Sequence, residues 1–408
     1  MRKTVPVAEL QFGMYVAELD RPWTDTPFTF QGFVLQTAEQ LEVLKKFCKV
    51  VFVDPDRSEV VARLADKTTP LAKKAVVDLS KSGKFRWTEV VPVEQEYQSA
   101  SGTYAAGDAV VREGVVALRS GKTLESDKVR EAVNGITESV LRNPDAMLLF
   151  SQLQEKSDYA SSHALDSSVY MTAFGRFLEM SREDITILGH LGLLQDIGKV
   201  KLPTSLLEKR ERLTPQEFDL AKKHVEYSAE ILRATPGLPR ELPELALLHH
   251  ERHDGSGYPR KLKGKDIGLI GSMAAIVDTF DAITARRPYG DPMAPSAALN
   301  MLYKWRGTLY DAYLVEQFIR CIGIFPVGSI VELNGGEVGI VIAQNLVKRL
   351  QPRVMVIRDA AGNALKPQKL LDLSRGTKGP DGEPYRIKRT LEYGKIPINA
   401  RELFLHNV

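Results

Sequence analysis

From about residue 145 to 318 the apolar side chains recur every three or four positions, and short breaks rich in Gly, Pro and Asp interrupt the pattern. That period puts the apolar residues of each segment on one face of an α-helix. It predicts helices over residues 145–153, 158–179, 182–195, 214–233, 241–252, 270–285 and 294–304, with another near 309–321. A region of this length can bury its own core, so the expectation is an all-helical domain over residues 145–320.

The flanks follow other periods. Phe12 to Leu19 has extended character, Phe28 to Leu35 is apolar and broken by Gly32, Thr37 to Phe47 has helical spacing, and Val50 to Asp54 reads as a buried strand. Residues 66–115 are rich in Lys, Ser, Thr and Pro and read as a linker or partly ordered excursion. Leu124 to Leu141 returns to a helical pattern, with Asn143-Pro144 as its stop. After Pro326 the period becomes two: Ser329–Leu333, Val338–Ala343 and Arg353–Arg358 read as strands, with a hairpin turn at Asn334-Gly-Gly. The fold expected is therefore multidomain α+β, with a small α/β N-terminal domain and linker (1–140), a helical domain (145–320) and a small β-rich appendage (321–408) serving packing or dimer support.

Composition narrows the function classes. Formal net charge is only +3, from 55 basic and 52 acidic side chains, so no dominant polyanion-binding face and no DNA partner are expected. No apolar stretch reads as long enough for membrane insertion, and Glu9 and Glu18 interrupt any N-terminal signal core. Cys48 and Cys321 match no chelating or redox spacing, which points to the cytoplasm.

Only seven histidines occur in 408 residues, and three of them fall in Leu248-His-His-Glu-Arg-His-Asp-Gly-Ser-Gly-Tyr-Pro259. Across the helical region His163, Asp196, His224, His249, His250 and Asp278 sit on or at the ends of different predicted helices, the adjacent pair excepted. Imidazole and carboxylate donors converging from several elements suit divalent metals. Any one of these residues alone is more readily a hydrogen-bonded core or capping group; the set together points to metal. Asp196 precedes Ile197-Gly198-Lys199, so it can bridge two cations while Lys199 reaches a phosphate. Arg286 or Arg287 would add countercharge, and Gly255 and Gly257 would let the backbone approach a ligand beside Tyr258 and Pro259. Such a centre can drive attack of a metal-bound water on a phosphodiester. His190 is expected on a helix exterior, His253 is a weaker pocket candidate, and His406 lies in the tail.

These stretches resemble the HD-GYP family of the HD phosphohydrolase superfamily. The likeness is carried by His163 within Tyr-Ala-Ser-Ser-His-Ala-Leu, by Leu193-Leu-Gln-Asp-Ile-Gly-Lys199, and by Lys222-Lys-His-Val-Glu226. It continues through His249 to Pro259 and Ile276-Val-Asp-Thr-Phe-Asp-Ala282, and covers residues 145–320. Residues 1–140 resemble the small N-terminal domain often fused to this family. The resemblance implies an HD-type catalytic core with two or three divalent ions, iron or manganese, that hydrolyses cyclic di-GMP to pGpG and further to GMP, or acts on cyclic GMP-AMP. It implies His163, Asp196 and Asp278 on one side of the cluster, His224, His249 and His250 on the other, and Asp196 bridging. Lys199 would contact phosphate, and Gly257, Tyr258 and Pro259 would shape the pocket and contact signalling partners.

One position departs from the pattern: the signature His-Asp pair is Gln195-Asp196. A neutral amide oxygen is a weaker donor than imidazole and lacks its second nitrogen. Three outcomes stay open: hydrolysis with Gln195 as a weak ligand or water in its place, a slow single-step enzyme, or a silent sensor or adaptor.

Overall fold

The computed structural model describes residues 3–20, 33–35, 38–53, 85–154, 159–285 and 293–391. Arg286, Arg287 and His406 lie outside them. The chain divides into two units, Met1–Lys74 and Ala75–Val408.

In the first unit, strands β1 (Lys3–Pro6), β2 (Tyr15–Leu19), β3 (Phe33–Val34) and β4 (Val50–Val53) form an antiparallel sheet of order β1-β4-β2-β3, with helix α1 (Ala38–Phe47) between β3 and β4. Alternation in β4 turns Val51 and Val53 into a core with Val16, Leu19, Leu35 and Leu44. Each such side chain, fully buried, stabilises the unit by roughly 1.5–3 kcal/mol. Strand β1 has one aliphatic residue, Val5, and no alternating pattern to announce it in sequence.

The second unit begins, among its described residues, with a long helix where a linker was expected. Helix α2 (Val93–Arg119) buries Val93, Tyr97, Ala100, Tyr104, Gly107 and Val111, a face spaced four and three residues apart. Its seam is made of small residues and tyrosines, which hid it from a search for aliphatic periodicity. It packs on α3 (Ser126–Arg142), where Arg142 donates two 2.7 Å hydrogen bonds to buried Glu96. Helices α2 and α3 lie in the same compact unit as the helices that follow.

Asn143 stops α3 and caps α4 (Pro144–Leu153), accepting from the Asp145 amide. Then come α5 (Tyr159–Phe177), α6 (Arg182–Leu194), the single turn α7 (Thr204–Leu207), α8 (Pro215–Lys222), α9 (His224–Arg233), α10 (Leu242–Ala246), α11 (Gly268–Thr284), α12 (Pro295–Trp305) and α13 (Ala312–Ile322). Two expected helices differ. Residues 214–233 split at Lys223, and 241–252 ends at Ala246, so His249 and His250 stand on turns. Tyr104 donates to Asp166 at 2.9 Å and Ser151 to the same oxygen at 2.6 Å, bracing α5 from α2 and α4.

The one described segment whose length and apolarity suffice to cross a bilayer, Gly264–Thr284, contains α11, which is mostly buried. This segment departs from the expectation that no apolar stretch is long enough for membrane insertion. Beyond α13, strands β5 (Ile330–Leu333), β6 (Val338–Ala343), β7 (Arg353–Arg358), β8 (Ala364–Asp372) and β9 (Ile387–Thr390) form an antiparallel sheet of order β8-β7-β6-β5-β9. Asp145 at the start of α4 accepts the Gln344 amide just after β6, at 2.9 Å.

Candidate metal centre

Three helices, α5, α9 and α11, and one turn bring donor side chains together around Asp196. Asp196 follows α6 and opens a 3-10 turn, Ile197–Lys201, that lies against the start of α9. Gly198 makes this approach possible: a Cβ there would stand 2.1 Å from the His224 carbonyl oxygen and 2.3 Å from the Ser228 nitrogen. The Gly198 amide donates to Ser228 Oγ at 2.8 Å, pinning the turn.

The two carboxylate oxygens of Asp196 face different donors. Oδ2 is 3.2 Å from His163 Nε2, which is itself 3.2 Å from Asp278 Oδ1. Oδ1 is 3.1 Å from His224 Nε2 and 3.6 Å from His249 Nε2, yet it is buried with no aligned hydrogen-bond partner. His224 and His249 each place Nδ1 2.7 Å from a backbone carbonyl, of Ala221 and Ala246, so in the neutral rings the bare lone pair is at Nε2. Those two Nε2 atoms are 3.4 Å apart. Donors about 2.1 Å from one shared cation stand roughly 3.0–3.4 Å from each other, so the spacing fits metal ligation better than direct contact between lone pairs.

Two sets of donor atoms result, each within 4.8 Å: Asp196, His224, His249 and His250, and His163, Asp196 and Asp278. The donor chemistry is imidazole and carboxylate throughout, which suits divalent transition metals. His250 approaches Asp278 Oδ2 with its Nδ1 at 3.6 Å.

Electrostatics follow from packing these charges together. Burial alone would lower the His163 pKa, but Asp196, Asp278 and Asp281 around it hold it well above the usual histidine range. Burial would raise Asp196; Lys199 and three histidines reverse that and hold it well below the usual carboxylate range. Asp278 is lowered as well, mainly by His163 against the opposing cost of burial. Burial and its neighbour His249 push His250 well below the ordinary value. Lys199 donates to Asp196 Oδ2 at 2.5 Å and keeps about a third of its side chain exposed.

Gln195 is 1% exposed, and neither its Oε1 nor its Nε2 has a hydrogen-bond partner among the described residues. An unpaired buried amide of this kind costs about 1–3 kcal/mol for each polar group, unless a ligand satisfies it.

Two residues that the sequence reading assigned no role are built into the centre. Asp281 Oδ2 is 2.5 Å from His163 Nδ1, leaving Nε2 of that ring to face the other acids. It lies three residues after Asp278 on α11, hence on the same helical face, and that spacing was the available signal. Glu251 is fully buried and accepts the amides of Arg260 at 2.7 Å and Leu262 at 2.9 Å, clamping the loop after His250. Within that loop Tyr258 lies with its ring 4.7 Å from that of His250. Gly257 folds the loop onto its own root, since a Cβ there would be 2.4 Å from the Arg252 nitrogen. His190, expected on a helix exterior, is buried: its Nδ1 meets the Thr186 carbonyl at 2.8 Å, one turn back on α6. His253 joins neither donor set.

Residues 146–314 match the family model of the HD domain, and residues 2–129 match that of a domain of unknown function, DUF3391. A Pseudomonas aeruginosa protein named cyclic di-GMP phosphodiesterase is 32% identical over 92% of this chain and 90% of its own length. A Vibrio cholerae protein named 3'3'-cGAMP-specific phosphodiesterase 2 is 34% identical over 42% of this chain and 33% of its own. A Thermotoga maritima protein named cyclic di-GMP phosphodiesterase is 39% identical over 36% of this chain and 41% of its own. Helices that gather histidines and acids about one shared aspartate, in a matched HD domain, define a metal-dependent phosphohydrolase of the HD class. Within that class, the chain belongs to the HD-GYP family.

Proposed function

We propose that the chain is a cyclic dinucleotide phosphodiesterase that opens cyclic di-GMP to the linear dinucleotide pGpG, cleaves onward to GMP, and accepts cyclic GMP-AMP as a second substrate. The names of the relatives support this substrate class. The observation that carries the reading is the pair of Asp196 oxygens turned toward two separate donor sets.

On this reading His224, His249, His250 and Asp196 would hold one cation, and His163, Asp278 and Asp196 would hold a second, with the Gln195 amide oxygen as a weak further donor. Iron or manganese suits this mixture of imidazole and carboxylate. When bound, such cations acidify the attacking water and neutralise charge on the phosphate and leaving oxygens. The chain's own residues do the rest. Asp281 orients the His163 ring, and the Ala221 and Ala246 carbonyls orient those of His224 and His249. Lys199, beside Asp196, would contact a non-bridging phosphate oxygen. Tyr258, Gly257 and Pro259 shape the wall beside His250, and Arg286 and Arg287 add countercharge. Water adds to phosphorus, the ribose 3'-oxygen leaves and takes up a proton, and a 5'-phosphate remains on the linear product.

The test is anaerobic purification, loading with iron or manganese, and chromatographic analysis of products from both cyclic dinucleotides. The expected result is pGpG from cyclic di-GMP. No product with either metal would refute hydrolysis, and binding without turnover would leave the chain a cyclic dinucleotide sensor.

A further inference from the structure

Helix α8 has no buried residue, although it is a full two turns long. Its N-terminal end is pinned instead: Thr214 and Glu217 form a capping box, and Lys209 pairs with Glu217 at 2.6 Å. Its one aromatic side chain, Phe218, is 48% exposed and so contributes little to the core. The ring of Phe218 meets Tyr258 in an edge-on contact, centroids 6.3 Å apart, and Tyr258 in turn lies against His250. The Lys222 ammonium lies 4.7 Å from the Phe218 centroid and 5.8 Å from that of Tyr258. It also pairs with the exposed carboxylate of Asp219 at 2.7 Å, an i,i+3 contact of the kind that contributes little at a surface.

An aromatic path thus runs from a ligand histidine to a half-exposed ring with a cation beside it. The order matches that of a nucleotide, whose phosphate sits at the metal centre and whose base lies across the sugar from it. We propose that Phe218 and Lys222 form a base-binding subsite for one purine of the cyclic dinucleotide, Phe218 stacking on the ring and Lys222 donating to the acceptor edge of guanine. Guanine offers both O6 and N7 as acceptors on that edge, whereas adenine puts an amino donor beside N7, so Lys222 favours guanine. Stacking on an aromatic side chain is indifferent to which purine is present, so Phe218 supplies affinity. The inference rests on the phosphodiesterase reading for its ligand.

The experiment measures cyclic di-GMP and cyclic di-AMP binding by calorimetry, and KM and kcat for cyclic di-GMP. Turnover of methyl p-nitrophenyl phosphate, a phosphodiester without a base, is followed in parallel. Phe218→Ala should weaken binding of both cyclic dinucleotides by roughly tenfold and raise KM for cyclic di-GMP to match, with KM for the base-free ester moving less than about twofold. Phe218→Trp should restore affinity. Lys222→Gln should narrow the preference for the guanine ligand by about threefold or more. Binding by wild type that Phe218→Ala leaves unchanged would overturn the subsite, as would an equal loss on the base-free ester. Wild-type binding without turnover, still weakened by Phe218→Ala, would overturn hydrolysis and support the subsite. No binding of either cyclic dinucleotide would overturn both.

Discussion

Replacing Asp281 by Asn should weaken one cation and spare the other. Asp281 is 1% exposed, and its Oδ2 sits 2.5 Å from His163 Nδ1, while its other oxygen has no partner among the described residues. The carboxylate therefore fixes the tautomer that leaves His163 Nε2 facing Asp196 and Asp278, and its charge raises the basicity of the ring. Asparagine keeps the shape but removes the charge, and one of its two amide rotamers presents a donor to a donor. Losses at such outer partners run about 10–100-fold in metal affinity, which corresponds to roughly 1.4–2.7 kcal/mol. His224, His249 and His250 belong to the other donor set, and backbone carbonyls orient the first two, so their cation should be unaffected. Calorimetric titration of metal-free protein with Mn2+ reads both steps, and circular dichroism checks that the variant is folded. Two steps weakened equally, or none weakened, would refute the assignment of Asp281 to His163 and its cation.

Other perturbations follow from the same geometry. Gln195→His should strengthen binding at the His163, Asp196 and Asp278 set by about tenfold or more, because imidazole is the better donor, and metal titration would reveal an unchanged affinity if Gln195 takes no part. Gly198→Ala should destabilise the fold and lower metal occupancy, since the added carbon collides with backbone rather than with a movable side chain; a melting temperature and metal content equal to wild type would contradict this. Burial raises the Asp145 pKa to about 7. The folded state therefore favours its neutral form, and stability falls as pH rises from about 4, where the unfolded group ionises, to about 7. Asp145→Asn should remove that dependence, an effect of at most about 4 kcal/mol, so urea unfolding at pH 5 and pH 8 should give wild type a larger loss than the variant. Equal losses would refute it.

Much of this architecture was legible because aliphatic residues dominate the faces concerned. The leucines and isoleucines of α6, the apolar run of α11 and the valines of β4 and β7 announce these elements directly. Helix α2 was hidden because Tyr97, Ala100, Tyr104 and Gly107 form its seam, and no aliphatic count detects a face built of small and aromatic residues. The histidine pair was visible, but its setting was not: leucines continue past Ala246 and prolong the helical pattern, while the backbone turns so that His249 Nδ1 reaches the Ala246 carbonyl. Asp281 had only its spacing of three from Asp278 to mark it, and Glu251 had no mark, because an acid that clamps a loop differs in sequence in no way from a solvated one. Gln195 was legible as a departure. Its burial with two unpaired amide atoms needed the fold.

The shared carboxylate of Asp196 is the centre of the site, and metal stoichiometry tests its role most directly. Wild type and Asp196→Ala would be purified anaerobically, loaded with Mn2+, desalted and analysed for metal per folded chain beside cyclic di-GMP turnover. Two ions per chain in wild type, with both ions and turnover lost in the variant, is the predicted result. A variant that keeps two ions, or turns over substrate at the wild-type rate, would contradict it.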